Sequence, residues 1–435
     1  MARAEDGNKG GTLKRTESRR YLPLTAALLL AATAAACGGG SDAGGSSTLN
    51  WYIFPEPSGS FAKAAEECSA ASNGSYEIVM RQLPADADGQ REEMVRRLAA
   101  EDDSLDILGL DVTWTAEFAE AGWIAPWPED ERAKIEDTSL DSMIETATWK
   151  DKLFSAPFNT NTQLLWYRKD LVDQPPETWD EMIEAAEQLA AEGKPHLIET
   201  QGAQYEGYTV WFNTMVESAG GSILTEDSEA VELGEPAQLA LETMAKFANS
   251  SGADPSLPTQ MENENRLAFE SGTAAFELNY PFVYPSAKDL APDIFKNMGW
   301  APYPTVVDGE PSHVTIGGID LAVSSMSTNK EAAFEAIRCL REPEKQVRNA
   351  IDGGLPPVDE TVYEDKEFQK SYPFWKTILD SLREASVRPI TPAFQSVSLQ
   401  IAYTLSPPDS IDPEADLPDL EERIQNALES KGLVP

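Results

Sequence analysis

The sequence predicts an α/β protein. Between residues 49 and 121 short apolar runs alternate with segments of helical period, in the order strand, helix, strand, helix, which builds a βαβ lobe. The same alternation resumes after residue 164 as a second lobe. The length, 435 residues, suits about three folding units or, equally well, two lobes plus dispensable ends. Hydrophobic residues at 41% and charged residues at 25% are enough for a substantial core.

In chain order, Leu49-Asn50-Trp51-Tyr52-Ile53 reads as a strand, followed by a Pro/Gly break and a helix over Phe61 to Cys68. Tyr76 to Leu83 alternates like a strand. Arg91 to Glu101 puts Met94 and Leu98 on one helical face. Leu105 to Leu110 is a short apolar run suited to a buried parallel strand; Asp111 stops it, and a helix follows over Thr115 to Ala121. The second lobe opens at Leu164-Leu165-Trp166-Tyr167. Thr178 with Glu181 has capping-box spacing, and that helix runs to Gly193. Further helices are expected over Thr209 to Ser218, Ala237 to Asn249 and Glu262 to Glu270, with a strand over Thr273 to Asn279. Ala301-Pro302-Tyr303-Pro304 crosses back to a strand over Val314 to Val323 and a helix over Lys330 to Leu340. Gly353-Gly354-Leu355-Pro356-Pro357 marks another crossing. Helices over Phe368 to Leu382, Ala393 to Tyr403 and Leu420 to Leu428 close the chain.

Charge narrows the function. Thirty-four Lys and Arg against 74 Asp and Glu give −40, and so acidic a surface repels nucleic-acid phosphates. His196 and His313 lie far apart, as do Cys37, Cys68 and Cys339, so no Cys/His set points to a zinc enzyme, and no cofactor is implied. The acidic runs Glu101-Asp102-Asp103 and Asp412 to Glu422 lack the alternating spacing of a calcium loop and read as solvated faces.

Residues 1–36 have the order of an export signal: a basic start, an apolar stretch over Leu22 to Leu30, then small residues. The stretch is shorter than the ~20 residues of a membrane helix. Ala34-Ala35-Ala36-Cys37 resembles a bacterial lipobox, so Cys37 is expected to carry lipid and residues 37–47 to form a flexible leash on the outer face of the membrane; the alternative is ordinary cleavage with Cys37 incidental. Outside the cytoplasm Cys68 and Cys339 are expected to form a disulfide, the alternative being two separately buried thiols.

Asp106-Ile107-Leu108 with Asp111, the run Asn161 to Leu171 followed by Pro175 to Trp179, Phe269-Glu270-Ser271-Gly272-Thr273-Ala274-Ala275, Val314 to Gly318 and Asn329 to Ala333 occur in an order that resembles the extracellular solute-binding lipoproteins of carbohydrate ABC importers. The likeness spans roughly residues 48 to 435. Within the family, Leu110 to Trp123, Asn159 to Arg168, Val210 to Asn213 and Val387-Arg388-Pro389 look most like the mycobacterial trehalose-binding lipoprotein. One departure is Tyr280, where a Trp is expected after Asn279. The resemblance implies a type II periplasmic-binding-protein fold whose lobes, 48–160 with 305–352 and 161–304 with 353–435, are hinged by crossing segments. It further implies a monomer that closes on a neutral disaccharide, trehalose first with maltose or another glucoside possible, and delivers it to membrane permease subunits without chemistry on the ligand.

A sugar offers vicinal hydroxyls, which suit the two-pronged edges of carboxylate and guanidinium, and C–H patches, which suit flat rings. Asp111, at a predicted strand end, is a candidate ligand residue, with a helix N-cap as its alternative. Asn161 lies in the first crossing, or is a turn residue. Glu262 begins a helix and is alternatively a helix-dipole carboxylate. Arg388, before Pro389, reaches the cleft or makes a surface ion pair. Gly317 and Gly318 bring backbone close to a ligand or form a strand bulge. Tyr280 stacks on a ring or packs in the core; Trp211 and Glu56 are weaker candidates. A secreted glycoside hydrolase using paired carboxylates, Asp111 and Glu262, is the runner-up function, and a structural envelope lipoprotein the third.

Overall fold

The computed structural model describes residues 46–430. The export signal, Cys37 and the leash up to residue 45 lie outside the described residues. Among the described residues there are twelve strands: β1 (Ser47–Ile53), β2 (Tyr76–Gln82), β3 (Ile107–Asp111), β4 (Ile124–Ala125), β5 (Thr148–Trp149), β6 (Lys152–Leu153), β7 (Ser155–Asn161), β8 (Leu164–Arg168), β9 (Leu197–Glu199), β10 (Ala274–Asn279), β11 (Met298–Ala301) and β12 (Gly317–Ser324).

They form two main sheets. In the first the order is β2-β1-β3-β12-β4, with β7 also along β12; β1 is parallel to β2 and β3, and β12 runs antiparallel to its neighbours. The second has the order β11-β8-β10-β9, while β5 and β6 pair only with each other. The chain leaves the first sheet after β7, crosses through Thr162 and Gln163 alone, and returns from β11 to β12. The carbonyl of Pro356 accepts the Thr160 amide at 3.0 Å, which lays the Gly/Pro crossing beside the first one.

The strand period explains why both faces of each sheet are covered. Trp51 and Ile53 enter one core with Phe61, Phe158 and Leu321, whereas Tyr52 enters another with Met94, Leu98, Leu108 and Phe118. In the second sheet Leu165 and Tyr167 join Trp179, Trp211 and Phe247, and Leu164 and Trp166 face Phe374 and Tyr372. Each large side chain so buried contributes about 1.5–3 kcal/mol relative to exposure. Cys68, in the helix Ser60–Ala71, is bonded to Cys339, in the helix Lys330–Leu340, with their Cα atoms 5.8 Å apart.

Several boundaries differ from expectation for identifiable reasons. The span 368–382 is two helices, Lys366–Ser371 and Trp375–Arg383, because Pro373 lacks an N–H and forces Tyr372 out of helical geometry. The last helix begins earlier, at Pro413 in the first helical position, so part of the acidic run sits over a helix N-terminus. A helix Pro343–Gly353, absent from the sequence expectation, starts the same way on Pro343. The strand expected from Val314 begins at Gly317; Val314 to Ile316 pair instead with Ser386. The helix expected from Thr209 begins at Glu206, which alters the site.

Candidate functional site

Asp111 ends β3 and Gly317 begins β12, so both lie at one edge of the first sheet. Asp111 Oδ1 accepts the amide and hydroxyl of Thr113, at 3.0 and 2.8 Å, which stops the strand and starts a turn. The same oxygen accepts Arg388 Nη2 at 3.4 Å. Asn161 ends β7 directly across from Gly317, and its Oδ1 is buried without a protein partner.

Arg388 joins this edge to the second lobe. Nη1 donates to Glu206, the first residue of helix Glu206–Ser218, and Nη2 also donates to the Ile316 carbonyl at 3.3 Å. Arg388 is only 4% exposed and Glu206 9%. Burial works against the guanidinium charge, but Glu206 and Asp111 outweigh it and hold the Arg388 pKa well above the ordinary value. Glu206 is pushed up by burial, opposed by Arg388 and reinforced by Asp111. Beside them, Tyr205 donates its hydroxyl to Glu262 Oε1 at 2.7 Å. A Cβ on Gly207 would meet the Tyr205 ring at 2.2 Å, so glycine there lets the ring lie against the helix start. Tyr280 lies beside Glu262, its amide donating at 2.8 Å to Asn279 Oδ1 while Asn279 Nδ2 donates to the Glu262 carbonyl; burial raises its pKa, reinforced by Glu262 and opposed by Arg388.

The structure therefore gathers Asp111, Glu262, Tyr280 and Arg388 around Glu206 and Tyr205, with Asn161 and Gly317 along the Asp111 edge. The other candidates have structural duties. Trp211 is fully buried, its ring packed against Trp179, Tyr208 and Phe247 in the core of the second sheet. Glu56 accepts the amides of Ser58 and Ser60, at 2.6 and 3.0 Å, and fastens the start of helix Ser60–Ala71. Gly318 has φ +140°, and a Cβ there would lie 2.3 Å from the Asn159 carbonyl oxygen; it serves close strand pairing at the bulge. Arg388 is buried, not part of a surface pair. Glu206 and Tyr205 escape the sequence reading because the apolar period is clear only from Thr209; the Glu-Gly step at the helix start is the one signal that marks them.

Across the cluster, Gln395 Nε2 donates to Asp88 Oδ1 at 2.8 Å, joining the helices Phe394–Leu405 and Ala87–Ala99. A separate cavity of about 720 Å³ lies at the far end of helix Glu206–Ser218, between Glu217, Glu232, His313 and Ser386. Its lining offers no Trp, Tyr or Phe face for a sugar ring.

Four carboxyls outside the cluster are shifted chiefly by burial. Burial raises Glu199, Glu277 and Asp320 to about 8 and Glu217 to about 7. Each is above its unfolded value, so the native state holds more protons between pH 4.5 and 8. The stability these groups contribute is complete below about pH 4 and is lost as pH rises toward 8, by no more than about 1.4 kcal/mol per pH unit for each group. Thermal midpoints should fall from pH 5 to pH 8, and Glu277→Gln should flatten the slope; a midpoint that climbs over that range would refute this assignment.

The model of the bacterial extracellular solute-binding protein family matches residues 79–347, more than half of the chain. The chain belongs to that family. It is 25% identical over 339 residues to a probable ABC transporter-binding protein of Deinococcus radiodurans, covering 76% of this chain and 80% of the relative. It is 26% identical over 321 residues to the maltotriose-binding protein of Pyrococcus abyssi, covering 72% and 68%. A maltose-bound MalE3 of T. maritima superposes with a TM-score of 0.80 at 27% identity, over 88% of this chain and all of that one. The GacH receptor of Streptomyces glaucescens shares the fold at a TM-score of 0.77 and 19% identity, over 89% of this chain and all of that one. This family member thus has the two-domain α/β periplasmic-binding-protein fold; the Deinococcus and Pyrococcus relatives are named as binding proteins and GacH as a receptor. Among the described residues no helix is long and apolar enough to cross a membrane.

Proposed function

We propose that this solute-binding protein is the sugar-capturing lipoprotein of an ABC importer, and that its ligand is a neutral disaccharide, trehalose first, with maltose or another glucoside as the competing ligand. The observation that carries the reading is Arg388, which bonds Glu206 in one lobe and Asp111 in the other. Such a guanidinium couples closure to the ligand: a sugar bonded to both carboxylate-bearing edges has higher affinity for the closed than the open state. The lobes are taken as 48–160 with 305–352 and 161–304 with 353–435. Maltose and maltotriose in the names of two relatives support a glucoside; Tyr280 and the carboxylates supply the ring face and hydroxyl partners one needs. The protein works as a monomer without a cofactor, anchored outside the cell membrane through Cys37, and passes the sugar to permease subunits.

A thermal-shift screen of neutral mono- and disaccharides on the protein from Thr48 onward tests the ligand class. A glucoside should raise the midpoint, whereas no shift with any neutral sugar would count against the class. Tyr280→Ala should weaken binding by about 5- to 50-fold through lost ring area, equivalent to ~1–2 kcal/mol, while Tyr280→Trp should match or exceed the parent for trehalose. Parental affinity in Tyr280→Ala would remove the ring from the site. Cys37→Ser should abolish membrane retention of the processed protein; a correctly cleaved variant still on the membrane would reject lipidation.

A further inference from the structure

We infer that Asn279 is a positioning residue that sets Glu262 and Tyr280 for the sugar without touching it, an inference that rests on the proposed sugar site. Asn279 closes β10 and is fully buried. Its amide is committed on three sides. Nδ2 donates to the Glu262 carbonyl at 2.9 Å and to Glu277 Oε1 at 2.7 Å, and Oδ1 accepts the Tyr280 amide at 2.8 Å. One side chain thus ties the first residue of helix Glu262–Ser271 to the backbone of the candidate stacking residue. It uses both amide donors and one acceptor position, which only a primary amide of this length can do. The backbone of Asn279 is itself fixed, since its carbonyl accepts Trp166 Nε1 at 2.8 Å.

The rest of that helix is held from the same side. Asn265 Nδ2 donates to the Thr200 carbonyl and Gln201 Nε2 to Asn265 Oδ1, both at 2.9 Å. With the helix fixed at Asn265, its start is tied on the side chain by Tyr205, which donates to Glu262, and on the backbone by Asn279, which holds the Glu262 carbonyl. Small displacements of a binding constellation cost affinity steeply, so the consequence of losing the amide is read at the ligand.

The test compares Asn279→Leu and Asn279→Asp with the parent and with Glu101→Ala, on the solvated face. Calorimetry with trehalose and maltose is paired with amide hydrogen exchange of the free protein. Asn279→Leu should bind about 10- to 100-fold more weakly, with faster exchange at the Tyr280 amide. Asn279→Asp keeps the acceptor for Tyr280 but loses both donated bonds; it should retain Tyr280 protection yet still bind more weakly, and it carries the test if the leucine variant does not fold. The loss should shrink in a Glu262→Ala, Tyr280→Ala background, because Asn279 acts through those two residues. Equal affinity and unchanged Tyr280 exchange in Asn279→Leu would overturn the inference. Should the parent bind no neutral sugar, the sugar reading fails. Exchange then decides Asn279 by itself: faster exchange at Tyr280 supports the positioning role, and unchanged exchange overturns it.

Discussion

Replacing Arg388 by alanine is expected to reduce sugar affinity by about 100-fold or more and to destabilise the fold at once. Glu206 and Asp111 share this one guanidinium, and breaking a buried pair leaves an uncompensated charge at a cost of about 3–5 kcal/mol. The binding loss has a second source, since the guanidinium bonds the carboxylates of both Glu206 and Asp111. Arg388→Lys replaces a fork by a point charge, so it should recover part of the stability and little of the affinity. Glu206→Gln in the Arg388→Ala background separates the two effects: the neutral amide should restore stability, while binding stays weak. In the single variant, Glu206 loses the cation that opposes its burial, so its pKa rises further and stability should improve as pH is lowered. Thermal midpoints and calorimetry read both quantities; parental affinity in Arg388→Ala would remove it from the site.

The second large effect is on stability alone. Cys68 and Cys339 are 271 residues apart, and a cross-link of that span restricts the unfolded chain by about 5–6 kcal/mol in the chain-entropy picture. Cys68→Ala with Cys339→Ala should lower the thermal midpoint by roughly 5 °C. Both cysteines sit on helices packed against the core of the first sheet, in a core that contains neither Asp111 nor Arg388, so sugar affinity should be unchanged. Alkylation followed by intact mass of protein made in an oxidising compartment should find no free thiol at either position; two labelled cysteines would exclude the bridge.

What was legible in the sequence follows from how each signal arises. Apolar runs such as Leu105–Leu110 and Leu164–Tyr167 declare themselves because buried strands need uninterrupted side chains on both faces. Thr178 and Glu181 form the capping box that their spacing predicts. Asp111, Glu262, Tyr280 and Arg388 share features visible locally: a polar residue at the end of an apolar run, a carboxylate at a helix start, an aromatic after a strand, and a cation before proline. Glu206, Tyr205 and Asn279 were not legible, because their roles come from partners 182, 57 and 17 residues away. Trp211 is ambiguous for the opposite reason: a tryptophan in an apolar helix serves a core as readily as a cleft, and its packing against Trp179 and Phe247 is visible only in the fold.

The proposed capture of a neutral disaccharide between the lobes is tested most directly by titration calorimetry of the protein from Thr48 onward. Trehalose and maltose should be titrated into the parent, Asp111→Ala and Glu101→Ala. Saturable one-to-one binding to the parent is expected, with a negative heat-capacity change as apolar surface closes over the sugar. Asp111→Ala should lose about 5- to 150-fold, because the sugar hydroxyls lose a carboxylate acceptor and Arg388 loses one of its two carboxylates, and Glu101→Ala should titrate like the parent. Absence of binding by the parent to any neutral disaccharide, or equal affinities for the parent and Asp111→Ala, would contradict it.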